Sequence, residues 1–226
     1  MAKVFIGVGH GGPDPGAVAN GLTEKDMNLV MALKCKEVLE SAGVEVGISR
    51  LRDEEDRLAE EIAECNAFNP DVAIEVHNNA GGGNGFEVYV QNGKAKSAEL
   101  ARAIEARVKD MGQNSRGLKT KLTANGADWF GWLRQVKAPA VLLEGVFLDS
   151  ADHEIADTID EQEAFGFAYA VGVLDYLGLE LPFEPLPGEK DEEIAKLRAV
   201  ITAYEAERNK VMYHLEEALK LLKELA

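Results

Sequence analysis

The stretch Val4-Phe-Ile-Gly-Val8-Gly-His10-Gly-Gly-Pro-Asp14-Pro-Gly-Ala17 runs from a short apolar segment straight into a loop of glycine and proline. Beyond the loop, Met27, Val30, Met31, Cys35 and Val38 recur at the spacing of one helical face. Strand, loop and helix in that order make half of a β-α-β unit, and the rest of the chain repeats the theme. Val44, Val46 and Ile48 alternate as a strand does, and Leu58, Ile62 and Cys65 mark a second helix. Residues 72–76 and the alternating Phe86, Val88 and Val90 read as strands. Leu100, Ile104, Val108 and Met111 mark a third helix, residues 140–143 a buried strand, and 152–176 one long apolar-faced helix. Strands separated by helices of ten or more residues predict a three-layer αβα domain around a mostly parallel sheet.

The pattern breaks once. Pro182, Pro185 and Pro187 crowd into six residues, which forbids helix and favours a stiff, extended connector. The sequence therefore divides into a core at 1–180, a proline-rich linker at 181–190 and a tail at 191–226. In the tail Ile194, Ile201, Arg208, Leu215 and Leu222 recur every seven residues, interleaved with Leu197, Tyr204, Val211, Ala218 and Leu225. That is a heptad seam flawed at Arg208, in a helix about 50 Å long. Its apolar face is too narrow to form a core alone. It either pairs with a copy of itself, giving a homo-oligomer, or folds back on the core.

Composition excludes several classes. A net charge of −16 over 226 residues is the wrong sign for a protein that tracks nucleic-acid phosphates. The longest run without charge or strong polarity, residues 164–174, is far short of the roughly 18–20 needed to span a bilayer, so no membrane insertion is expected. The N-terminus enters a strand directly and shows no secretory signal. Cys35 and Cys65 fit neither a disulfide framework nor a zinc knuckle, and both lie on apolar helical stripes as buried, reduced thiols.

Chemistry concentrates where strands end. The four histidines are His10, His77, His153 and His214. His10 and His77 each follow a predicted strand, and Glu144 follows the strand at 140–143. Loops from several parallel strands converge at their carboxyl ends, which is where such sheets carry their sites. Glu24 follows Thr23 in Thr-Glu-Lys-Asp26, which by itself reads as a capped helix start with an acidic first turn. As a set, two imidazoles, one carboxylate and a second, separate carboxylate match a catalytic zinc site with three ligands and an open position for water. Glu144 would then serve as general base. No serine or cysteine nucleophile with a partner base stands out.

These residues carry a resemblance. Gly9-His10-Gly11-Gly12-x-Asp14-x-Gly16-Ala17, Glu24 opening a helix with Asn28-Leu29, Val76-His77-Asn78-Asn79-Ala80, Gly85-Phe-Glu-Val-Tyr-Val90 and Pro139-Ala-Val-Leu-Leu-Glu144-Gly-Val-Phe-Leu148 together resemble the zinc-dependent N-acetylmuramoyl-L-alanine amidases of the amidase-3 type. The resemblance runs from Lys3 to Leu179 with every motif in family order. It implies cleavage of the amide bond between N-acetylmuramic acid and L-alanine in peptidoglycan. It also implies one Zn2+ per chain, held by His10, Glu24 and His77, with Glu144 as the catalytic glutamate.

The sequence departs from the family at Glu75, where a small polar residue is usual. Two residues from His77 on one strand, Glu75 shares its face, and it either fixes the imidazole or pairs elsewhere. Asn79, Arg116, Trp129 and Trp132 complete the candidates for positioning or substrate contact, although tryptophans are as often core. Asp149 reads as a helix cap, His153 as exposed, and residues 81–85 as a mobile loop flanking the groove. An amidase without a signal peptide further resembles a phage endolysin, held in the host bacterial cytoplasm until released to the wall. The alternatives are a bacterial wall-remodelling amidase, another zinc hydrolase of wall peptides, or a non-catalytic wall-binding module assembled through its heptads.

Overall fold

In the computed structural model the described residues are 1–181, so the heptad tail and nearly all of the linker lie outside them. The elements in chain order are β1 (Lys3–Val8), β2 (Val18–Ala19), β3 (Leu22–Thr23), α1 (Glu24–Ser41), β4 (Glu45–Ile48), α2 (Leu58–Phe68) and β5 (Val72–Asn79). They continue with β6 (Phe86–Val90), α3 (Ala95–Asp110), β7 (Ser115–Lys119), α4 (Gly131–Gln135), β8 (Ala140–Phe147), a 3-10 turn at Ala151–Ile155 and α5 (Ile159–Leu177). The sheet order is β4-β1-β5-β8-β6-β7. Four strands from β4 to β8 are parallel, β6 meets β8 antiparallel, and β7 runs parallel to β6. The expected mostly parallel three-layer architecture holds, with one antiparallel seam.

Period-two alternation sorts the strand residues between two unequal layers. Val4, Ile6 and Val8, Val72, Ile74 and Val76, and Val141 and Leu143 face the larger core with α1, α3 and α5. Phe5, Ala73, Ala140 and Leu142 face a smaller core with Ile62, Cys65, Trp132, Leu133 and Val136 from α2, α4 and the turn after it. On the larger side the helices come very close. A Cβ at Gly166 of α5 would sit 2.2 Å from the Met31 carbonyl oxygen of α1, and one at Gly172 would sit 2.4 Å from Ile104 Cα of α3. By the same alternation Glu75, His77 and Glu144 emerge on the thinner side, where less covers them.

Three expectations change. His77 and Glu144 lie inside β5 and β8, as paired neighbours in register, and not in the loops beyond. The single helix expected over 152–176 is a 3-10 turn followed by α5, whose start is fixed by a capping box between Thr158 and Glu161. At the start of α1, Thr23 makes no side-chain cap bond, so the expected cap there is absent. No helix among the described residues is long and apolar enough to cross a membrane. Both cysteines are free and buried.

Candidate metal centre and cleft

Glu24 is the hub. It opens α1 yet is only 4 % exposed, because its carboxylate points under the β1 loop and not into solvent. Oε2 accepts the Ala17 N–H at 2.8 Å, and Oε1 accepts the Asn78 N–H at 3.2 Å. Oε1 also lies 2.9 Å from His77 Nδ1 and 3.2 Å from His10 Nε2. Burial works against ionisation of Glu24, but the hydrogen bonds from the two imidazoles outweigh it and hold the carboxyl well below the ordinary range. Burial likewise disfavours charge on the imidazoles. Glu24 reverses that effect for His10, and Glu24 and Glu75 together do so for His77, so both pKa values are raised.

Each ligand side chain is held from behind. His10 occupies the left-handed region at φ 64°, a conformation that costs a non-glycine residue about 1–3 kcal/mol. It is kept there by a loop closed through the Gly11–Asp14 bridge, and Asp14 Oδ2 lies 2.8 Å from its Nδ1. His77 Nε2 lies 3.4 Å from Glu75 Oε1, so of the two readings of Glu75 the geometry favours contact with the imidazole. Beneath Glu24, Asn28 donates to the Gly9 carbonyl at 3.0 Å, and Asn78 donates to Asn28 Oδ1 at 2.9 Å. Asn78 Oδ1 in turn accepts the Val146 N–H at 3.1 Å, which ties α1, β5 and β8 into one network.

The donor set fits a metal ion. His10, Glu24 and His77 each offer one ligand atom, and these atoms lie within 4.8 Å of one another. Two imidazole nitrogens and a carboxylate oxygen suit a borderline divalent cation and leave a coordination position open. The backbone is shaped to allow it. A Cβ at Gly9 would stand 2.1 Å from His77 Cε1, and one at Gly16 would stand 2.6 Å from both Glu24 Oε2 and His10 Cδ2.

Glu144 stands beside this triad, paired in register with His77 on one side and Glu87 on the other. Burial pushes its carboxyl up to about 7, and its Oε2 is covered without a hydrogen-bond partner among the described residues. Glu87 behaves oppositely. Burial disfavours its charge, but Lys119 at 2.8 Å and Arg116 at 2.5 Å hold it ionised and lower its pKa. Two neighbouring glutamates are thus pushed apart in acidity, one fixed as an anion and one poised near neutrality.

A cleft of about 540 Å³ opens over the triad, lined among others by Glu144, Asn79, Asp56, Glu61, Glu75, Phe130 and Trp132. Of the sequence candidates, Asn79 faces it and donates to Glu87 at 3.3 Å. Arg116 lies off the cleft in β7, paired with Glu87. Trp129 is 55 % exposed under Lys121 and also lies off the cleft, whereas Trp132 is buried against Phe5 and reaches the cleft wall. Asp149 caps nothing. It accepts the Gly81 and Gly82 N–H groups, while Asp152 accepts that of Gly85, so the loop expected to be mobile is tied down. His153, expected to be exposed, is half-buried against Asp157 at 2.6 Å. Sequence reasoning missed Glu87, Glu61 and Asp56. Only the alternation Phe86-Glu-Val-Tyr-Val90 hinted that Glu87 shares the face of Glu144.

The family model described as N-acetylmuramoyl-L-alanine amidase (Amidase_3) matches residues 4–175. N-acetylmuramoyl-L-alanine amidase CwlM of Bacillus licheniformis is 38 % identical over 156 residues, covering 67 % of this chain and 59 % of that protein. The endolysin of Bacillus phage SPP1 is 38 % identical over 163 residues, covering 67 % and 57 %. The chain thus spans less than two-thirds of the length of these curated relatives. Among solved structures, the catalytic domain of the amidase CwlV from Bacillus (Paenibacillus) polymyxa var. colistinus superposes with a TM-score of 0.71 at 29 % identity, covering 80 % of this chain and all of that one. Cwp6 from Clostridium difficile gives 0.75 at 32 %, covering 78 % of this chain and 29 % of that one.

Proposed function

We propose that this chain, which belongs to the N-acetylmuramoyl-L-alanine amidase family, is a zinc hydrolase that cleaves the amide between N-acetylmuramic acid and the L-alanine of the peptidoglycan stem. The observation that carries the proposal is the meeting of His10, Glu24 and His77 around one point, with Glu144 in register beside them. Zinc bound there would supply Lewis-acid polarisation of the amide carbonyl and would acidify the attacking water. Glu24 is kept anionic by the hydrogen bonds of His10 and His77, and Asp14 and Glu75 orient the two imidazoles towards it. Glu144 takes the proton of the attacking water and returns it to the departing alanine nitrogen. A carboxyl poised near neutrality suits both halves of that task. The bond from Asn79 of β5 to Glu87 of β6 spans β8, the strand that carries Glu144.

The setting we propose is that of an endolysin acting on the wall from the host cytoplasm, supported by the phage endolysin among the relatives. The heptad tail is proposed to join copies of the chain. Purified enzyme should carry about one zinc per chain and hydrolyse peptidoglycan, lose hydrolysis on chelation and regain it with zinc. Hydrolysis indifferent to the chelator would refute the metal reading.

A further inference from the structure

The cleft extends past the metal triad along a wall made by Asp56, Glu61, Glu75 and Trp132. This wall has no role in the chemistry proposed above beyond the one contact of Glu75 with His77, and its composition is unusual. Among the described residues, five buried side-chain polar atoms have no hydrogen-bond partner in the protein, and four of them belong to residues that line this cleft. They are Asp56 Oδ2, Glu75 Oε2, Glu144 Oε2 and Trp132 Nε1. Leaving a buried polar atom unpaired is costly; Glu144 is the proton carrier proposed above, and the other three mark a surface shaped for polar groups that arrive from outside.

The acidic composition of the wall says which groups. Asp14, Glu24, Asp56, Glu61, Glu75 and Glu144 all line the cleft, and among the described residues no lysine or arginine does. The Arg50 guanidinium lies behind the wall, hydrogen-bonded to the backbone carbonyls of Val8, Gly9 and Lys25 and within electrostatic reach of Asp56 and Glu61. The wall is also assembled closely. Gly7 of β1 lies in register with Glu75 and leaves room for Glu61 to reach across from α2, since a Cβ there would meet Glu61 Oε1 at 2.5 Å and Glu75 Cγ at 3.3 Å. Glu61 Oε1 and Ser49 Oγ both accept the Val8 N–H, at 3.2 and 3.0 Å, which fixes the floor between them. Trp132, at 1 % exposure, contributes the one unpaired donor.

We propose that this wall is a subsite for a free primary ammonium carried by the substrate. The ammonium is taken by the carboxylates of Asp56, Glu61 and Glu75, and a neighbouring carbonyl or carboxylate oxygen receives the Trp132 N–H. The proposal rests on the amidase reading and deepens it, by requiring the preferred wall fragment to bear a positive charge close to the scissile amide. Two parts of peptidoglycan can supply that group: a diamino residue in the stem peptide, or an amino sugar lacking its acetyl group.

The test uses the full-length, zinc-loaded chain and three soluble muramoyl peptides. One has every amine acetylated, one has a free amine only on a peptide side chain, and one has a free amine only on the sugar. The expected result is about a tenfold higher kcat/KM, mainly through KM, for one of the two ammonium substrates over the acetylated one. The substrate that is preferred identifies the source of the group. Asp56→Asn and Glu61→Gln should each shrink that preference, read as the ratio of kcat/KM on the ammonium substrate to that on the acetylated one. Equal kcat/KM on all three substrates by the unaltered enzyme would overturn the subsite and leave the amidase reading standing. Hydrolysis of none of them would overturn both.

Discussion

Replacing Gly9 by alanine adds one methyl group at the most crowded point of the site. Gly9 follows β1 and donates its N–H to the Val76 carbonyl at 3.0 Å, and its φ lies outside the left-handed region, so alanine suits the backbone. What it does not suit is His77. The new Cβ would lie 2.1 Å from Cε1, 2.4 Å from Nε2 and 2.5 Å from Nδ1, whereas carbon atoms in contact rest about 3.5–4.0 Å apart. The ring must retreat by more than about 1 Å. Retreat strains its 2.9 Å contact with Glu24, which is itself pinned by the Ala17 and Asn78 N–H groups, and its 3.4 Å contact with Glu75. A displacement of that size at a reacting centre costs about 10²-fold in rate, and a misoriented ligand about 10–100-fold in metal affinity, or about 1.4–2.7 kcal/mol. Gly9→Ala should therefore remain folded by thermal unfolding while zinc affinity, read by chelator competition, and kcat/KM fall by these factors. Gly21→Ala is the control. A Cβ there meets nothing within 4 Å among the described residues, so only the strain of its φ of 78° is expected, with zinc affinity unchanged. Zinc affinity and kcat/KM within threefold of the unaltered protein for Gly9→Ala would refute the claim that the β1 loop sets the position of His77.

Glu144→Gln should keep fold and zinc but lose about 10²–10⁴ in turnover, measured on a soluble muramoyl peptide; an active variant would remove Glu144 from the proton transfer. Cys35 and Cys65 are held unreactive by burial, which pushes the Cys65 thiol up to about 12 and the Cys35 thiol higher still. A thiol reagent should label neither residue until the chain is unfolded, and rapid labelling of the native protein would contradict the packing of α1 and α2. Hydrogen bonds from the Gly82 and Gly81 amides lower the Asp149 pKa. The restraint on the glycine loop should therefore persist at neutral pH and disappear as pH falls through that lowered value. The amide NMR shifts of Gly81 and Gly82 should titrate with a midpoint below the ordinary aspartate value, whereas a midpoint at or above it, or no loss of restraint in Asp149→Ala, would show that the loop is held otherwise.

The layers of the fold were legible in the sequence because apolar periodicity follows burial directly, as in the alternation of Val44, Val46 and Ile48 or the stripe from Met27 to Val38. Register and edges were not. The strand at 140–143 continues through Glu144 to Phe147, because a charged residue that faces a cleft interrupts the apolar run without interrupting the ladder. Ser115-Arg-Gly-Leu-Lys119 pairs on one side only and needs no apolar face, so it carried no strand signal. The start of α5 could have been found, since Thr158-Ile-Asp-Glu161 is a capping box in plain sequence. Thr23-Glu-Lys-Asp26 looked equally like a helix cap, yet the tertiary network draws Glu24 inward, a choice no local pattern encodes. The acidic wall was illegible for a similar reason. Asp56, Glu61 and Glu75 come from a loop, a helix and a strand, and only the fold brings them to one cleft.

The most direct test of the central claim is mass spectrometry of the fragments released from purified peptidoglycan by the zinc-loaded chain. Intact stem peptides with a free N-terminal alanine amine, alongside glycan that retains its muramic acid, are the products required of His10, Glu24, His77 and Glu144 acting as proposed. Fragments cut within the peptide or within the glycan, with the muramoyl–alanine amide unbroken, would contradict it.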